Sequence, residues 1–257
     1  MQCFQALQLQ QPAVVSGKQN IDIVKLTKIT DKGRTGNFDV GQREVLICNW
    51  NNGANPDFYA FDKSKTVRQV DDEYFAKAIV GDNYKKIEQI LPDKVHHYRI
   101  TKSNNGDIYF CTYQEGTIYG FDILGNSTLN WNIEVGEGHP IYDIKYQEPD
   151  FLWLAFPTGQ TVTQVRLTDK QEVFKIGEYS WDDNCEPLSY PESVFIKENN
   201  LFIPNMGNSK LFKVDLLTKQ MDLIMTFDEK IWQYAQTDIG TFVITDTGIY
   251  ELENDTN

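Results

Sequence analysis

Residues 201–215 read LFIPNMGNSKLFKVD, in which a short apolar stretch, a polar turn and a second apolar stretch follow one another. The second stretch ends in an aromatic-x-apolar-acid pattern, Phe212-Lys213-Val214-Asp215. Short apolar segments separated by Asn, Gly and Ser are typical of two antiparallel strands joined by a tight turn. The same unit occurs at four other places, so that its first strands lie at 45–48, 108–111, 152–155, 201–204 and 241–244 and its second strands end at Asp62, Asp122, Thr168, Asp215 and Glu253.

The spacing of these units indicates a repeat architecture. Equivalent positions in successive first strands are separated by 63, 44, 49 and 40 residues. Four units have another apolar segment upstream, at 98–100, 141–144, 194–196 and 232–235, and two have a fourth segment after the pair, at 172–176 and 221–225. Four antiparallel strands repeated roughly every 40–50 residues are the signature of β-propeller blades. The sequence therefore predicts an all-β fold, a single β-propeller of four-stranded blades.

The number of blades and the closure of the ring are two further predictions. Five blades are recognisable. The long step of 63 leaves residues 74–91 unassigned, as an elaborated blade edge, a short helix or a degenerate blade, and the last of these would make 73–94 a sixth blade. A strand at 21–26 is expected to complete the last blade, because closing the ring hides the exposed sheet edges. Residues 1–252 then form one domain, followed by an acidic tail at 253–257. The alternative is an ordinary β-sandwich whose hairpins resemble one another by chance.

Composition argues against two classes of partner. Lys+Arg 24 against Asp+Glu 37 gives the 257-residue chain a formal charge of -13. Such a surface repels nucleic acid and anionic membranes. No apolar run approaches the roughly 18–20 residues that span a bilayer, so membrane insertion is not expected. Aromatic residues make up 13% of the chain, and this load favours an aromatic ligand or another protein as the partner.

The compartment is read from the N-terminus, the cysteines and the glycosylation sequons. Residues 1–15 lack a basic n-region, which leaves a cytoplasmic protein or a secreted chain whose signal has been removed. Cys3, Cys48, Cys111 and Cys185 allow two disulfides. Because Cys48 and Cys111 occupy equivalent positions of successive units, they are not expected to be joined to each other. Sequons at Asn126 and Asn254 add to the even cysteine count and favour a secreted glycoprotein.

The aromatic-x-apolar-Asp strand ends, such as Tyr119-Gly120-Phe121-Asp122, resemble those of the propellers related to gluconolactonase and senescence marker protein, and of the insect yellow and royal-jelly proteins. In size the chain is nearest to the lepidopteran ommochrome-binding proteins, which carry pigment in hemolymph. The resemblance covers about residues 44–253. It implies six blades and, from the gluconolactonase side, a divalent cation held by carboxylate and amide oxygens at the channel mouth. By position those ligands are Glu192, Asn205 and Asp246, and calcium is the metal that suits them.

Propeller geometry places the candidate site residues. If the four strands of a blade are counted from the channel outward, the two strands of the repeated unit are the second and third. Loops that lead into the first strand of a blade, and loops between its second and third strands, converge on one face around the central channel. The second-to-third loops carry Asn49, Trp50, Tyr113, Phe156, Asn205 and Asp246, and the leading loops carry His97, His139, Tyr142, Glu192 and Trp232. Rings of this kind stack on a flat molecule while His, Asn and Glu orient it. His96 and His97, as neighbours in a strand, are expected to point to opposite faces.

Three functions follow from these residues. The first is a non-enzymatic extracellular binding protein for a small, flat, aromatic ligand such as a pigment or an amine, which needs no cofactor. The second is a protein–protein interaction scaffold, and the third is a calcium-dependent lactonase-like hydrolase. The sequence has no Gly-x-Ser-x-Gly elbow and no Gly-rich phosphate loop, and this favours the first two.

Overall fold

The computed structural model describes residues 25–32, 36–40, 43–50, 55–112, 116–182 and 185–253. Within these ranges the first ten strands are β1 (Lys25–Thr30), β2 (Gly36–Val40), β3 (Val45–Asn49), β4 (Asp57–Phe61), β5 (Arg68–Val70), β6 (Arg99–Lys102), β7 (Ile108–Thr112), β8 (Thr117–Phe121), β9 (Ser127–Asn132) and β10 (Asp143–Gln147). The remaining ten are β11 (Phe151–Phe156), β12 (Thr161–Arg166), β13 (Glu172–Ile176), β14 (Phe195–Lys197), β15 (Asn200–Asn205), β16 (Lys210–Asp215), β17 (Met221–Thr226), β18 (Ile231–Thr237), β19 (Gly240–Thr245) and β20 (Gly248–Glu253).

These strands form five antiparallel sheets of four strands each, arranged as a ring of five blades. Blade 1 is β2–β5, blade 2 is β6–β9, blade 3 is β10–β13 and blade 4 is β14–β17. Blade 5 combines β18, β19 and β20 with β1. All five repeated units coincide with the second and third strands of a blade, so the predicted propeller is confirmed and the β-sandwich alternative is wrong.

The ring is closed by a strand from near the N-terminus, as the sequence predicts. β1 pairs antiparallel with β20, and the pairing begins with Lys25 opposite Glu253. The described strand ends at Thr30 instead of the predicted residue 26, and residues 21–24 fall outside the described residues. β20 includes Glu253, and the rest of the predicted acidic tail also falls outside them. Pairing β1 with β20 covers a sheet edge that would otherwise be free to bind another strand.

Five apolar clusters lie between neighbouring blades in the described part of the chain. Successive residues of a strand point to opposite faces of the sheet, so each central strand contributes to two clusters. In β11, Leu152 and Leu154 pack with blade 2, whereas Trp153 and Ala155 pack with blade 4. Because both faces are covered, the strand is apolar at consecutive positions, and this gives the repeats their strong sequence signal.

Residues 73–94 do not form a sixth blade, and the six-blade alternative is wrong. They form helix α1 (Asp72–Val80) and the short helix α2 (Tyr84–Glu88). The Asp71 side chain caps α1 by accepting the backbone N–H of Tyr74 at 2.7 Å. The apolar residues of α1 lie on one buried face, with the spacing of a helix: Phe75, Ala76, Ile79 and Val80.

The two helices fill the space between blades 1 and 2. The buried side chains of α1 and α2 share one cluster with Leu46 and Phe58 of blade 1 and with Ile100 and Phe110 of blade 2. The helical pair, here called the helical wedge, therefore packs between those two blades. No helix in the described residues is both long and apolar enough to cross a membrane.

Candidate functional site

One end of the ring, here called the channel face, carries the candidate residues. The first strand of each blade is here called the inner strand. Because neighbouring strands are antiparallel, the inner strand starts at the end of the ring where the second strand finishes. The loops that the sequence singled out therefore do share one face. The structure gives their side chains very different degrees of burial, and Tyr113 lies outside the described residues.

At the boundary of blades 1 and 2, Trp50 packs against two histidines. Its ring centroid is 5.1 Å from that of His97, with the rings edge to face, and 5.8 Å from that of His96. The two imidazoles lie side by side, with centroids 4.5 Å apart. The expectation that they point to opposite faces is wrong, because residues Val95–His97 form a 3-10 turn instead of a strand. Asn49, next to Trp50, is buried.

Acidic groups from the helical wedge and the loop after it neighbour both histidines. His96 Nδ1 lies 2.7 Å from Asp72 Oδ1, at the first residue of α1. His97 Nδ1 lies 3.5 Å from Asp93 Oδ2. Burial lowers the pKa of His97, and the neighbouring His96 lowers it further. Trp50, His96 and His97 thus form a packed aromatic cluster in which His97 remains partly exposed.

On blade 3, His139 is the centre of a second aromatic group, here called the aromatic shelf, which consists of His139, Tyr179 and Trp181. The His139 ring is nearly parallel to Tyr179, at 6.2 Å and 12°. Trp181 lies over His139 with centroids 3.8 Å apart and a tilt of 36°. His139 is buried, whereas Trp181 is 72% exposed. The buried His139 ring therefore supports the Trp181 indole, which is largely open to solvent.

Hydrogen bonds and neighbouring rings hold the shelf in place. The Tyr179 hydroxyl lies 2.9 Å from Thr163 Oγ1 and 3.0 Å from Glu172 Oε2. Phe156, a predicted ligand residue, is fully buried and meets Tyr179 edge to face at 5.9 Å. Phe156 therefore supports the shelf from inside and has no exposed ring surface of its own. Burial lowers the pKa of His139, which favours the neutral imidazole.

Tyr179 and Trp181 were missed by sequence reasoning. They lie in the long connection between β13 and β14, which carries no strand pattern. This connection leaves blade 3 at Gly177, whose φ of 81° and close approach to a carbonyl oxygen both require glycine. A Cβ at that position would lie 2.3 Å from the backbone oxygen of Gln160. The sequence Tyr179-Ser180-Trp181, with two aromatic residues in this connection, was the signal from which the aromatic shelf could have been found.

On blades 4 and 5, two of the candidate metal ligands have partners within the protein. The Asn205 side chain is fully buried, where its Oδ1 accepts the N–H of Ser189 at 2.9 Å and its Nδ2 donates to Asn208 Oδ1 at 2.7 Å. Asp246 Oδ1 accepts the indole N–H of Trp232 at 2.8 Å. Within the part of the chain that the structure describes, no three His, Cys, Asp or Glu side chains form a cluster suited to a metal.

Glu192, the third candidate ligand, lies near the inner strands. Its burial raises its pKa to about 7, and the negative charge of Asp143 acts in the same direction while Arg99 opposes it. Burial therefore makes the Glu192 carboxyl much easier to protonate than an ordinary glutamate. Tyr142 lies directly before β10 and is half-buried. Its backbone N–H donates to the carbonyl oxygen of Ala155 at 2.9 Å.

A cavity of about 210 Å³ occupies the central channel. Inner strands of blades 2 to 5 line it, and the helical wedge contributes Ile79. Charged side chains in the lining are Lys102, Asp143 and Lys145. The sequence predicted a channel but assigned none of these three residues to a site.

Predicted disulfides are absent from the described part of the chain. None of Cys48, Cys111 and Cys185 forms a disulfide, and Cys3 lies outside the described residues. Cys48 packs on the blade 2 side of its sheet, and Cys111 on the blade 3 side of the next one. The two thiols thus point in the same direction around the ring, as their equivalent positions in the repeat predicted.

The architecture defines a five-bladed β-propeller with a helical wedge between two blades. No protein-family model matches the chain, and no curated protein matches it. Solved structures share the fold. YCF48 bound to D1 peptide has a TM-score of 0.52 at 8% identity, with 96% of this chain and 99% of that chain covered. Glutaminyl cyclase from Myxococcus xanthus has a TM-score of 0.51 at 7% identity, with 90% and 94% covered.

A third structure is larger than this chain. Virginiamycin B lyase from Staphylococcus aureus has a TM-score of 0.48 at 12% identity, and 84% of this chain aligns with 65% of that chain. This chain therefore spans less than two thirds of the length of that lyase. At these identities the comparisons establish the propeller fold alone, and they leave a specific gluconolactonase-like or yellow-like relationship unconfirmed.

Proposed function

We propose that this propeller is a non-enzymatic extracellular binding protein that takes a small, flat, aromatic ligand on its channel face. The observation that carries the proposal is the position of Trp181, which is 72% exposed and lies 3.8 Å, centroid to centroid, from the buried ring of His139. Its outer face is available to a second ring. Stacked aromatic pairs contribute about 0.5–1.5 kcal/mol beyond the area that they bury.

Two features make the aromatic shelf suitable for binding. The rings beneath Trp181 are held by packing and hydrogen bonds, so that little conformational entropy is lost when a ligand arrives. Burial lowers the pKa of His139 and so favours its neutral form, and a neutral imidazole stacks without repelling a cationic amine. The acidic surface of the chain, with a formal charge of -13, also attracts amines.

The extracellular part of the proposal rests on the sequon at Asn126, whose side chain is exposed in the turn between β8 and β9. Its Nδ2 donates to Asp122 Oδ2 at 2.7 Å, so a glycan would replace one turn hydrogen bond. Treatment of the natural protein with a glycosidase tests this. A mass loss mapped to the peptide that contains Asn126 supports secretion, and an unmodified Asn126 peptide in the natural protein counts against it.

Isothermal titration calorimetry with tryptamine tests the binding proposal, and hexylamine is the non-aromatic control. We expect tryptamine to saturate one site and hexylamine to bind at least about 10-fold more weakly. Trp181→Ala should weaken tryptamine binding about 10-fold, since about 1.4 kcal/mol is a factor of ten. Leu217→Ala is the matched control, because Leu217 is 76% exposed but lies in the turn between β16 and β17 at the other end of its blade.

Three outcomes would contradict the proposal. Equal binding of hexylamine would mean that the acidic surface alone attracts amines. An unchanged affinity in Trp181→Ala would remove the shelf from the site. Loss of binding on addition of a calcium chelator would favour the metal-dependent hydrolase instead, because stacking on Trp181 requires no metal.

A protein or peptide partner is the second candidate, and the same exposed indole favours it. Tryptophan is enriched among the residues that anchor protein interfaces. YCF48, which shares the fold, was solved with a peptide bound. Binding of peptides that depends on Trp181, without binding of tryptamine, would select this alternative.

A further inference from the structure

The central cavity is a second candidate site, separate from the aromatic shelf. Its volume of about 210 Å³ is below the roughly 300–1,000 Å³ of pockets for drug-sized ligands, so it suits a molecule of metabolite size. Part of its wall is apolar, formed by Ile79 of the helical wedge, Ile100 of blade 2 and Val194 and Phe195 of blade 4. The rest of the wall combines three charged residues with uncharged ones such as Ser193 and Gln233.

Positive charge exceeds negative charge at this cavity. Lys102 and Lys145 line it, and Asp143 is the one carboxylate among the described lining residues. Asp143 is almost fully buried, where its Oδ2 accepts the N–H of Val194 at 2.9 Å and its Oδ1 lies 3.4 Å from Lys145 Nζ. The carboxylate is therefore already used by Lys145 and by the backbone of blade 4.

The Lys102 side chain also lines the cavity, and its ammonium group has no carboxylate partner among the described residues. The surrounding protein lowers the pKa of Lys102 by desolvation, and no neighbouring carboxylate offsets this effect. Lys102 is nevertheless exposed at the end of β6, so its ammonium group is accessible to an anion that arrives from solution.

Two further buried donors lack acceptors within the described residues, one in the cavity lining and one on Arg99, the residue before the lining residue Ile100. Ser193 lines the cavity at 2% exposure, and its Oγ is buried without a hydrogen-bond partner. Arg99 Nη1 is likewise buried without a partner, and its charge acts on Glu192, the residue before Ser193. Buried donors are normally satisfied, and those that are not call for an explanation such as a bound ligand.

We propose that the central channel binds a small organic anion with a short aliphatic body. Its carboxylate would be held by Lys102, with Lys145 and Ser193 as further donors from the same lining. Its aliphatic part would pack against Ile79, Ile100 and Phe195. This site goes beyond the stacking function proposed for the aromatic shelf and does not depend on it.

Hexanoate is the probe, because it carries one carboxylate, has no ring and is small. Hexanamide is the neutral match of nearly the same shape. Calorimetry on the full chain at pH 7 should show saturable 1:1 binding of hexanoate and at least about 10-fold weaker binding of hexanamide. Lys102→Gln should weaken hexanoate binding roughly 10- to 100-fold, the range for loss of a charge-assisted hydrogen bond.

Lys63→Gln is the matched control, since Lys63 is exposed in the turn between β4 and β5 and its loss changes the net charge by the same amount. Ser193→Ala is the second variant. It removes the buried hydroxyl without changing any charge, and it should weaken hexanoate binding several-fold. Trp181→Ala should leave hexanoate binding unchanged, which separates this site from the aromatic shelf.

The channel proposal is wrong if hexanoate does not saturate, or if hexanamide binds equally well. It is also wrong if Lys63→Gln weakens binding as much as Lys102→Gln, because a general charge effect would then be sufficient. Circular dichroism of each variant checks that it retains the β fold. Failure of hexanoate binding leaves the tryptamine result unaffected, and failure of tryptamine binding leaves the hexanoate result unaffected.

Discussion

The indole Nε1 of Trp232, at the start of β18, donates a 2.8 Å hydrogen bond to Oδ1 of Asp246, in the turn between β19 and β20. Both residues are half-buried. The sequence marks Trp232 as a ring for ligand stacking and Asp246 as a possible calcium ligand. In the structure the Asp246 carboxylate has a structural role, because its hydrogen bond fixes the orientation of the Trp232 indole.

Replacing Asp246 with Ala should lower the free energy of unfolding by about 1–2 kcal/mol, because the indole N–H loses a charged acceptor in a half-buried place. Urea denaturation measures this change. Asp228→Ala is the control, since Asp228 is exposed in the loop that precedes β18. Equal effects of the two substitutions would show that the hydrogen bond contributes nothing.

The pKa of Glu192 predicts a pH-dependent stability. Burial raises this pKa from 4.5 to about 7, so the folded state binds the proton more tightly than the unfolded chain. The resulting stabilisation is fully present below pH 4.5 and is lost as the pH rises through 7. Between about pH 4.5 and pH 7, the free energy of unfolding of the natural protein should fall by up to about 3 kcal/mol relative to that of Glu192→Gln. Each pKa unit of difference between the folded and unfolded states corresponds to about 1.4 kcal/mol.

Urea denaturation at several pH values checks the Glu192 prediction. Glu134→Gln is the control, because Glu134 is exposed and should follow the pH dependence of the natural protein. A constant stability difference between the natural protein and Glu192→Gln from about pH 4.5 to pH 8 would contradict the assignment of a raised pKa to this carboxyl.

The contact between Asp72 and His96 should stabilise the helical wedge. Asp72 Oδ1 lies 2.7 Å from His96 Nδ1, and the His96 side chain is only 10% exposed. Asp72→Ala should lower the free energy of unfolding by about 1–2 kcal/mol, since it also removes a negative charge from the first turn of α1. Hydrogen exchange should become faster across residues 72–97.

Glu73→Ala tests whether this effect belongs to the contact with His96. Glu73 lies in the same first turn, but its ion pair with Lys85, at 3.2 Å, is exposed at both ends. Exposed pairs contribute little, so this variant should unfold close to the natural protein. If Glu73→Ala were as destabilising as Asp72→Ala, the helix dipole and not the histidine contact would explain both.

Cysteine reactivity should follow burial. The pKa of the Cys111 thiol is raised by burial, and Cys48 is also fully buried, whereas Cys185 is half-buried. Iodoacetamide at about pH 8 should therefore modify Cys185 in the native protein and spare Cys48 and Cys111. Peptide mapping measures the labelling, and unfolded protein, in which every thiol reacts, is the control. A cross-link between Cys48 and Cys111 under non-reducing conditions would contradict both the structure and the repeat.

The blades were predictable because their signals are local. In blade 3, for example, consecutive apolar residues from Leu152 to Ala155, a turn and a second strand follow one another closely in the sequence. The helical wedge was also encoded locally, by the cap at Asp71 and the helical spacing from Phe75 to Val80. A short helix was one of the interpretations left open for this stretch, and the sequence did not decide between it and a degenerate blade because the surrounding repeat leads the reader to expect strands.

The candidate sites depend on the path of the chain through space. His139 and Trp181 are 42 positions apart in the sequence, and their stacking depends on the course of the long connection that leaves blade 3 at Gly177. No local pattern specifies that course, because the connection belongs to no strand of the repeat.

The sequence by itself determined the five repeated units, their strands and the strand from near the N-terminus that closes the ring, since burial on both faces of each sheet imposes an apolar pattern that can be read residue by residue. Only the tertiary structure decided which polar groups meet. Lys102, Asp143 and Ser193 come from three different blades, and their shared cavity arises only when the ring closes. The physical reason is that burial and electrostatic interaction depend on distance in space, which for these residues is unrelated to their separation along the chain.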